Sequence, residues 1–227
     1  MKRIFLFLIA LALFMGACDS NKVKVRGKVA GLEGTVKLLA EMPGQQGLVI
    51  LAQQDVTDGN INLVTEQLQL PARVWVDIAG KNTLETIVDS KDQIWIQGKI
   101  KFPDQIEVKG SGLDVEYNKL KKMFKEKYEG PLEPIDRSIN RIMNKEKKSK
   151  DDEVMMGVYQ LQRQRYIRAR ANYVKTLIEA NPGQELSLFL LQDELRDSTD
   201  LRKKLFQMIT VPNKESNLYK IVAEKMQ

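Results

Sequence analysis

Hydrophobic and polar positions alternate along the first half of the chain. Short alternating runs begin at Val23 and end at Val108, and Gly, Pro, Asn and Asp turn signals separate them. One of these signals, Asp58-Gly59-Asn60, is typical of a tight hairpin turn. Strands that end at a turn about every 8–12 residues indicate an all-β unit. The pattern predicts about eight or nine strands, folded as an antiparallel β-sandwich or a small barrel.

The second half has a different period. After Gly110-Ser111-Gly112, apolar side chains recur every three or four residues, which is the spacing of one helix face. The spacing predicts a helix that begins near Leu113, a second over 135–142, a long one over 151–180, and three shorter ones after it. The predicted fold class is therefore α+β, with a β-sandwich or barrel domain at 22–111 and an all-helical array at 112–227.

The first residues combine two cations, an apolar run and small side chains before the only cysteine. Lys2-Arg3 precedes the apolar run Ile4–Met15, and Gly16-Ala17 stands directly before Cys18. A membrane-spanning helix needs about 20 apolar residues, so this shorter run is typical of a secretory signal; an uncleaved signal-anchor is the alternative. The arrangement resembles the bacterial lipobox. That resemblance implies removal of residues 1–17, a lipid on Cys18 and a short tether at 18–21.

Composition narrows the classes of function. Loss of Lys2 and Arg3 lowers the formal net charge from +6 to +4, a modest excess that does not indicate nucleic acid as a partner of an exported protein. The chain contains no histidine, and its one cysteine is assigned to the lipid, so no Cys-x-x-Cys motif exists. We therefore expect no enzymatic activity, no metal site and no cofactor beyond the covalent lipid on Cys18.

Charged runs stand on either side of the start of the long helix. Asp151-Asp152-Glu153 offers three carboxylates that could hold a metal ion, but negative charge at a helix N-terminus is favoured by the helix dipole, and we prefer that interpretation. The lysines at positions 145, 147, 148 and 150 predict a solvated loop. Contact with anionic headgroups is the alternative, at about 1 kcal/mol for each cation near the surface.

Aromatic and cationic side chains form a stripe along the long helix. Tyr159, Tyr166 and Tyr173 recur every seven residues, and Arg163 and Arg170 follow the first two by four residues. Heptad spacing keeps them on one face, where each arginine can stack on the preceding ring. One interpretation is a face packed against neighbouring helices. The other is an exposed surface of the composition enriched at protein contacts, so these five residues are the candidate partner-contact residues.

Two tryptophans interrupt the aliphatic pattern of the strands. Trp75 lies between Val74 and Val76, and Trp95 lies between Ile94 and Ile96. Because successive side chains of a strand point to opposite faces, buried aliphatic residues would place both tryptophans on the opposite face of the sheet, either under the helical half or exposed.

Several short motifs resemble a domain-of-unknown-function family of Gram-negative bacterial lipoproteins. They are the opening run 25–32 (VRGKVAGL), the Asp58-Gly59-Asn60 turn, the run 106–112 (IEVKGSG), and the segment 178–183 (IEANPG) that leads into 186–191. In that family a β-sandwich and a helical region usually precede a thioredoxin-like domain of the thiol-specific-antioxidant type. The resemblance implies the same fold here and an envelope location at the outer membrane. The thioredoxin domain is absent from this sequence, so the family's redox residues have no counterparts.

These observations lead to one hypothesis and two alternatives. We expect a membrane-anchored envelope lipoprotein that acts as a non-catalytic binding or adaptor module for an envelope protein. The first alternative is an accessory role in envelope thiol-disulfide chemistry, in which a separate thioredoxin-like protein is the partner. The second is a small-ligand carrier. The partner, the leaflet and the oligomeric state stay open, and Asp19 after the lipidated cysteine favours the inner membrane under the rule for enteric bacteria.

Overall fold

The computed structural model describes residues 22–89, 93–195 and 198–226. The predicted signal peptide, the tether and Cys18 lie outside these ranges. The described chain divides into two compact units. The first holds the residues up to Gly112 together with Glu215–Ile221, and the second holds Leu113–Lys214 together with the residues from Val222 onward.

The first unit contains eight strands among its described residues, arranged in two four-stranded sheets. The strand order is β4-β1-β7-β8 in one sheet and β3-β2-β5-β6 in the other. The strands are β1 (Val23–Ala30), β2 (Gly34–Glu41), β3 (Leu48–Val56), β4 (Asn60–Thr65), β5 (Ala72–Ile78), β6 (Asn82–Val88), β7 (Gln93–Lys99) and β8 (Glu107–Lys109).

Alternation along the strands decides which residues are buried. Val23, Val25 and Val29 of β1 are fully buried, while Arg26 and Lys28 between them are exposed. The inward positions of both sheets belong to one hydrophobic cluster. Burying one such aliphatic side chain contributes about 1.5–3 kcal/mol relative to leaving it in water, so this cluster is the main source of stability of the unit.

The prediction of a purely antiparallel arrangement is wrong at one position. β1 pairs with β7 in the parallel sense, with Val25 opposite Ile94 and Gly27 opposite Ile96. Alternation reports which face of a strand is buried, but it does not report strand direction. No short hairpin links β1 to β7, so no turn signal in the sequence could fix their relative direction.

Two glycines allow close backbone contacts around β1. A Cβ on Gly27 would lie 1.8 Å from the carbonyl oxygen of Ile96. Gly59 has a φ of +79°, and a Cβ there would lie 2.4 Å from the carbonyl oxygen of Val29. The turn predicted at Asp58-Gly59-Asn60 forms, but it joins β3 and β4 of different sheets, so the expected hairpin is wrong.

The helical region contains six helices among the described residues. They are α1 (Gly112–Phe124), followed by one π-helical turn at Lys125–Glu129, α2 (Leu132–Met143), α3 (Lys150–Ala180), α4 (Leu186–Glu194), α5 (Thr199–Phe206) and α6 (Asn217–Glu224). The predicted helical spacing is thus confirmed. α5 ends at Phe206, and Met208 lies exposed beyond it.

The last helix begins beside the strands. The amide of Asn217 donates to the carbonyl of Gln69 at 2.8 Å, and the amide of Leu218 donates to Pro71 at 3.3 Å. The Asn217 side chain accepts from the Gln69 amide at 2.9 Å. These bonds explain why residues 215–221 belong to the first unit. Their helical pattern had included them in the predicted helical array at 112–227.

Candidate functional site

All five residues of the Tyr/Arg stripe lie on α3, and local chemistry explains where this helix begins. The Ser149 hydroxyl accepts from the amide of Asp152 at 3.1 Å, and the Asp152 carboxylate accepts from the amide of Ser149 at 3.0 Å. This capping box satisfies two amides at the helix start. Hydrogen bonds from the Lys145 ammonium, at 2.6 Å, and from Ser149 lower the pKa of Asp152 to about 2. Asp152 therefore caps the helix.

The C-terminal part of the stripe is packed inside the helical unit. The Tyr173 ring meets Phe124 edge-on, with centroids 6.1 Å apart, and lies 6.3 Å from Tyr128. The Arg170 guanidinium lies over Phe124, 5.6 Å from its centroid. These contacts make Arg170 and Tyr173 part of an aromatic core rather than an open surface.

Two carboxylates neutralise Arg170. Its Nη2 donates to Glu194 and lies 3.1 Å from Glu129. Burial raises the pKa of Glu194, and the charge of Arg170 acts against that shift. The cluster therefore ties the α1–α2 connection and α4 to the C-terminal half of α3.

The N-terminal part of the stripe is more open. Tyr159 is half-buried, and Arg163 is exposed and donates to Asp136 of α2 at 2.9 Å. An exposed ion pair of this kind stabilises a protein by about 0.2–1 kcal/mol. Arg163 thus links α3 to α2 through the carboxylate of Asp136.

The middle tyrosine lines a groove between α2 and α3 with a volume of about 600 Å³. Gln162, Arg165, Tyr166 and Ala169 line it from α3, and Pro131, Pro134 and Ile135 line it from the other side. We call this the Tyr166 groove. Ala169 is small and the prolines are compact, so space stays open beside the tyrosine ring. Tyr166 is the one member of the predicted stripe that lines this groove.

The middle of α3 carries only positive charge. Between Val154 and Ile178 the sequence holds five cations and no carboxylate. Arg163, Arg170 and Lys175 find carboxylates on neighbouring segments or on the next turn. Among the described residues neither Arg165 nor Arg168 has such a partner. The Tyr166 groove therefore has a positive rim that no carboxylate in the described part of the chain neutralises.

Several lining residues were missed by the sequence analysis. Gln162 and Ala169 lie on one helix face with Tyr166, at the spacing i, i+4, i+7, so the sequence contained a signal for both. The predicted stripe followed the heptad spacing of the aromatic rings and included only Tyr166 of these three residues. The position of α2, and with it Pro131 and Pro134, could not be derived from the spacing on α3.

Both tryptophans lie off the hydrophobic core, as the alternation predicted. Val74, Val76, Ile94 and Ile96 are buried, and Trp95 has 52% of its surface exposed on the sheet β4-β1-β7-β8. Trp75 is half-buried on the other sheet.

Three further observations bear on function. In the described part of the chain, no helix combines the length and the apolarity needed to cross a bilayer. No group of three or more side chains suited to hold a metal ion is found within residues 22–89, 93–195 and 198–226. The chain has no significant match among protein-family models, curated proteins or solved structures.

Proposed function

We propose that this chain is a lipid-anchored lipoprotein of the bacterial cell envelope, held at the outer membrane. Its helical unit acts as a non-catalytic binding or adaptor module that contacts a protein through the Tyr166 groove. The anchor rests on the sequence, in which Cys18 follows a charged start, a short apolar run and two small residues. Two or three fatty chains on this residue make attachment effectively permanent.

The first unit is, in this proposal, a β-sandwich that supports the module. Two four-stranded sheets whose inward positions share one hydrophobic cluster support that description. Residues 22–111 contain no histidine and no cysteine. We therefore assign this unit a supporting and recognition role rather than a catalytic one.

The single observation that carries the proposal is the combination of groove, tyrosine and unneutralised arginine. Tyr and Arg are enriched among the residues that dominate protein interfaces, since each offers a large contact area and a polar end. Here Tyr166 lines an open apolar groove, and Arg165 stands beside it without a carboxylate partner in the described chain. Arg163, Arg170 and Tyr173 of the stripe are engaged within the helical unit.

The groove also specifies the chemistry of its partner. Pro131, Pro134 and Ile135 form an apolar wall that suits an aliphatic or aromatic side chain. Arg165 and, one turn further, Arg168 suit carboxylates, which arginine can bind through two parallel hydrogen bonds. We therefore expect an acidic protein segment with an apolar anchor residue.

In-cell crosslinking of the tagged, full-length chain tests this proposal. The variant Arg165→Glu with Tyr166→Ala removes the cation and the ring from the groove. The control Lys148→Glu with Tyr159→Ala makes the same changes in charge and ring content outside the groove lining. We expect the first pair to abolish a discrete crosslinked product that the control retains. Equal yields from both double variants would contradict the groove as the contact surface.

The identity of the captured protein separates the alternatives. A thioredoxin-like lipoprotein captured through the groove would support an accessory role in thiol-disulfide chemistry. Capture of further copies of the chain would indicate a structural role. A small molecule that stays bound in native mass spectra, together with no captured protein, would favour the carrier hypothesis over the adaptor.

A further inference from the structure

A second recess lies on the outer face of the sheet β4-β1-β7-β8. It has a volume of about 530 Å³ and is lined by Arg26–Lys28 of β1, Asn60–Asn62 of β4 and Trp95–Gln97 of β7. We call it the Trp95 recess. It belongs entirely to the first unit, so nothing below depends on the function proposed for the helical unit.

Strand register explains the shape of the Trp95 recess. Arg26 stands between Asn62 and Trp95 in one row across the strands, and Lys28 stands between Asn60 and Gln97 in the next outward row. Between these two rows lies Gly27, which has no side chain, and its cross-strand partners Ile61 and Ile96 point into the core. The backbone therefore forms a floor between two walls of side chains. Because adjacent strands are about 4.8 Å apart, the recess runs about 10 Å across three strands.

The floor depends on the sequence of β1. Gly27 allows β1 and β7 to approach so closely that a Cβ would meet the carbonyl oxygen of Ile96 at 1.8 Å. The flanking positions are long cations, Arg26 and Lys28, which stand on the outer face. The run Arg26-Gly27-Lys28 thus produces two cationic walls and a bare floor.

The outer face of this sheet carries a charge excess. By alternation, its outward positions include five cations and one carboxylate: Lys24, Arg26, Lys28, Lys99, Lys109 and Glu107. Glu107 accepts from the Gln97 amide at 2.9 Å, and Lys28 lies close enough to Asp58 to lower the pKa of that carboxyl, whose main stabilisation comes from Asn60. Within the ranges that the structure describes, the other four cations have no carboxylate partner.

None of these cations faces another cation across the strands, but Lys24, Arg26 and Lys28 are successive outward side chains of β1, about 7 Å apart. A ligand that carries negative charge would relieve the repulsion among these three charges beside the exposed tryptophan. Trp95 adds a broad apolar ring, and Asn60, Asn62 and Gln97 add amides that both donate and accept hydrogen bonds.

We infer that the Trp95 recess binds an acidic oligosaccharide, that is, a short glycan with carboxylate, phosphate or sulfate groups. The C–H face of a sugar ring packs on Trp95, whose ring face is electron-rich. Arg26 and Lys28 bind the acidic groups, and the amides bind hydroxyls. The 10 Å length suits a short chain of sugar rings rather than a single ion.

A bilayer surface is the competing occupant, because tryptophan and cations are also common at membrane interfaces. Two observations favour the glycan. The site is a recess with walls, whereas a headgroup layer is best met by a projecting surface. Hydrogen bonds to Asp58 and Glu107 orient the amides of Asn60 and Gln97, and oriented amides suit the hydroxyls of a sugar better than a fluid headgroup layer.

Tryptophan fluorescence provides the test. The chain has two tryptophans, so the full-length Trp75→Phe variant keeps Trp95 as its sole reporter. The probes are tetragalacturonate, its methyl ester, a heparin-derived tetrasaccharide and vesicles containing phosphatidylglycerol. We expect at least one acidic oligosaccharide to shift the Trp95 emission. The methyl ester, which keeps the sugar of tetragalacturonate and loses its charge, should bind at least about tenfold more weakly than tetragalacturonate.

A matched pair of variants locates the binding. Arg26→Gln with Lys28→Gln removes both charges from the recess and keeps an unbranched polar side chain at each position, and Lys37→Gln with Lys81→Gln removes two charges elsewhere in the same unit. We expect the first pair to weaken binding at least about tenfold and the second to leave it unchanged.

Several results would overturn the inference. The first is an unchanged Trp95 emission with both acidic oligosaccharides at millimolar concentration. The second and third are equal affinity of tetragalacturonate and its ester, and equal affinity of the two double variants. The fourth is a change in emission with the vesicles alone. The last result would assign the surface to the membrane. Because every readout comes from the first unit, failure here leaves the Tyr166 groove untouched, and failure of the groove leaves this site untouched.

Discussion

β1 and α3 use their side chains in opposite ways. In the eight residues of β1, Val23, Val25 and Val29 are completely buried. In the 31 residues of α3, only Val174 and Ile178 are buried, both near its C-terminal end. Burial of these valines in the hydrophobic cluster stabilises the strand. Most side chains of the helix are at least partly exposed, so its surface is available for recognition.

The exposed apolar residues of α3 fit this difference. Val154, Met155, Val158 and Leu161 are all at least 40% exposed, and so is Ile167. Removing side chains from such positions has little effect on folding, whereas the same change in the strand core opens a cavity. The contrast between the two regions can therefore be measured directly.

The largest expected effect is a core truncation. Ile78→Ala in β5 should lower the free energy of unfolding by about 2–5 kcal/mol, because Ile78 is fully buried. Leu161→Ala on α3 should change it by less than about 0.5 kcal/mol. Urea unfolding followed by tryptophan fluorescence reports the first unit, which holds both tryptophans, and far-UV circular dichroism reports the helices. Similar losses from both variants would refute the contrast.

Two glycines should respond in opposite directions. Gly27→Ala forces a Cβ against the backbone of Ile96 and should destabilise the protein by about 1–3 kcal/mol. Gly157 lies within α3 with no atom within 4 Å of an added Cβ, so Gly157→Ala should stabilise the helix by about 0.5–1 kcal/mol. Thermal unfolding of the two variants checks the signs. A stabilising Gly27→Ala would show that β1 and β7 are further apart than described.

The start of α3 should be moderately sensitive. Ser149→Ala removes the hydroxyl that caps the amide of Asp152 and should cost about 0.5–2 kcal/mol in helix stability. Hydrogen exchange should accelerate at residues 150–154 and stay unchanged in β1. A Ser149→Thr variant, which keeps the hydroxyl, serves as the control and should retain most of the protection.

The smallest expected effect is a dependence on pH. Because the pKa of Asp152 falls from 3.8 to about 2 on folding, its ionised form contributes stability above pH 3.8. Between pH 3.8 and about 2 this carboxyl binds a proton in the unfolded chain but not in the folded one, so the contribution decreases as the pH falls. Below about pH 2 both states bind the proton, and the contribution is lost. The stability difference between the native protein and Asp152→Asn should therefore shrink between pH 5 and pH 2, as measured by acid titration of helix content. A constant difference would exclude this role.

The strands and helices were largely predictable, since burial has a period of two in a strand and about 3.6 in a helix. Trp75 and Trp95 lie opposite the buried aliphatic residues of their strands, where the pattern placed them. The parallel pairing of β1 with β7 and the crossing from β3 to the other sheet were not predictable, because periodicity carries no information on direction or on sheet membership.

The candidate site was predictable only in part. The stripe is on α3 as expected, but its members divide according to what α1, α2 and α4 place beside them. Arg170 and Tyr173 meet Glu194 and Phe124, whereas Tyr166 meets a groove. Those contacts join residues distant in sequence, and no local spacing encodes them. Lipidation of Cys18 and the envelope location stay predictions of the sequence.

One measurement tests the proposed contact surface most directly. A photoreactive amino acid replaces Gln162, which lines the Tyr166 groove, or Gln164, which is exposed about 200° around the same helix. Irradiation of cells should give a discrete crosslinked product from position 162 and none from position 164, and Arg165→Glu should abolish that product. Equal crosslinking from both positions, or a product from position 164 alone, would contradict the proposal that this groove is where the module holds its partner.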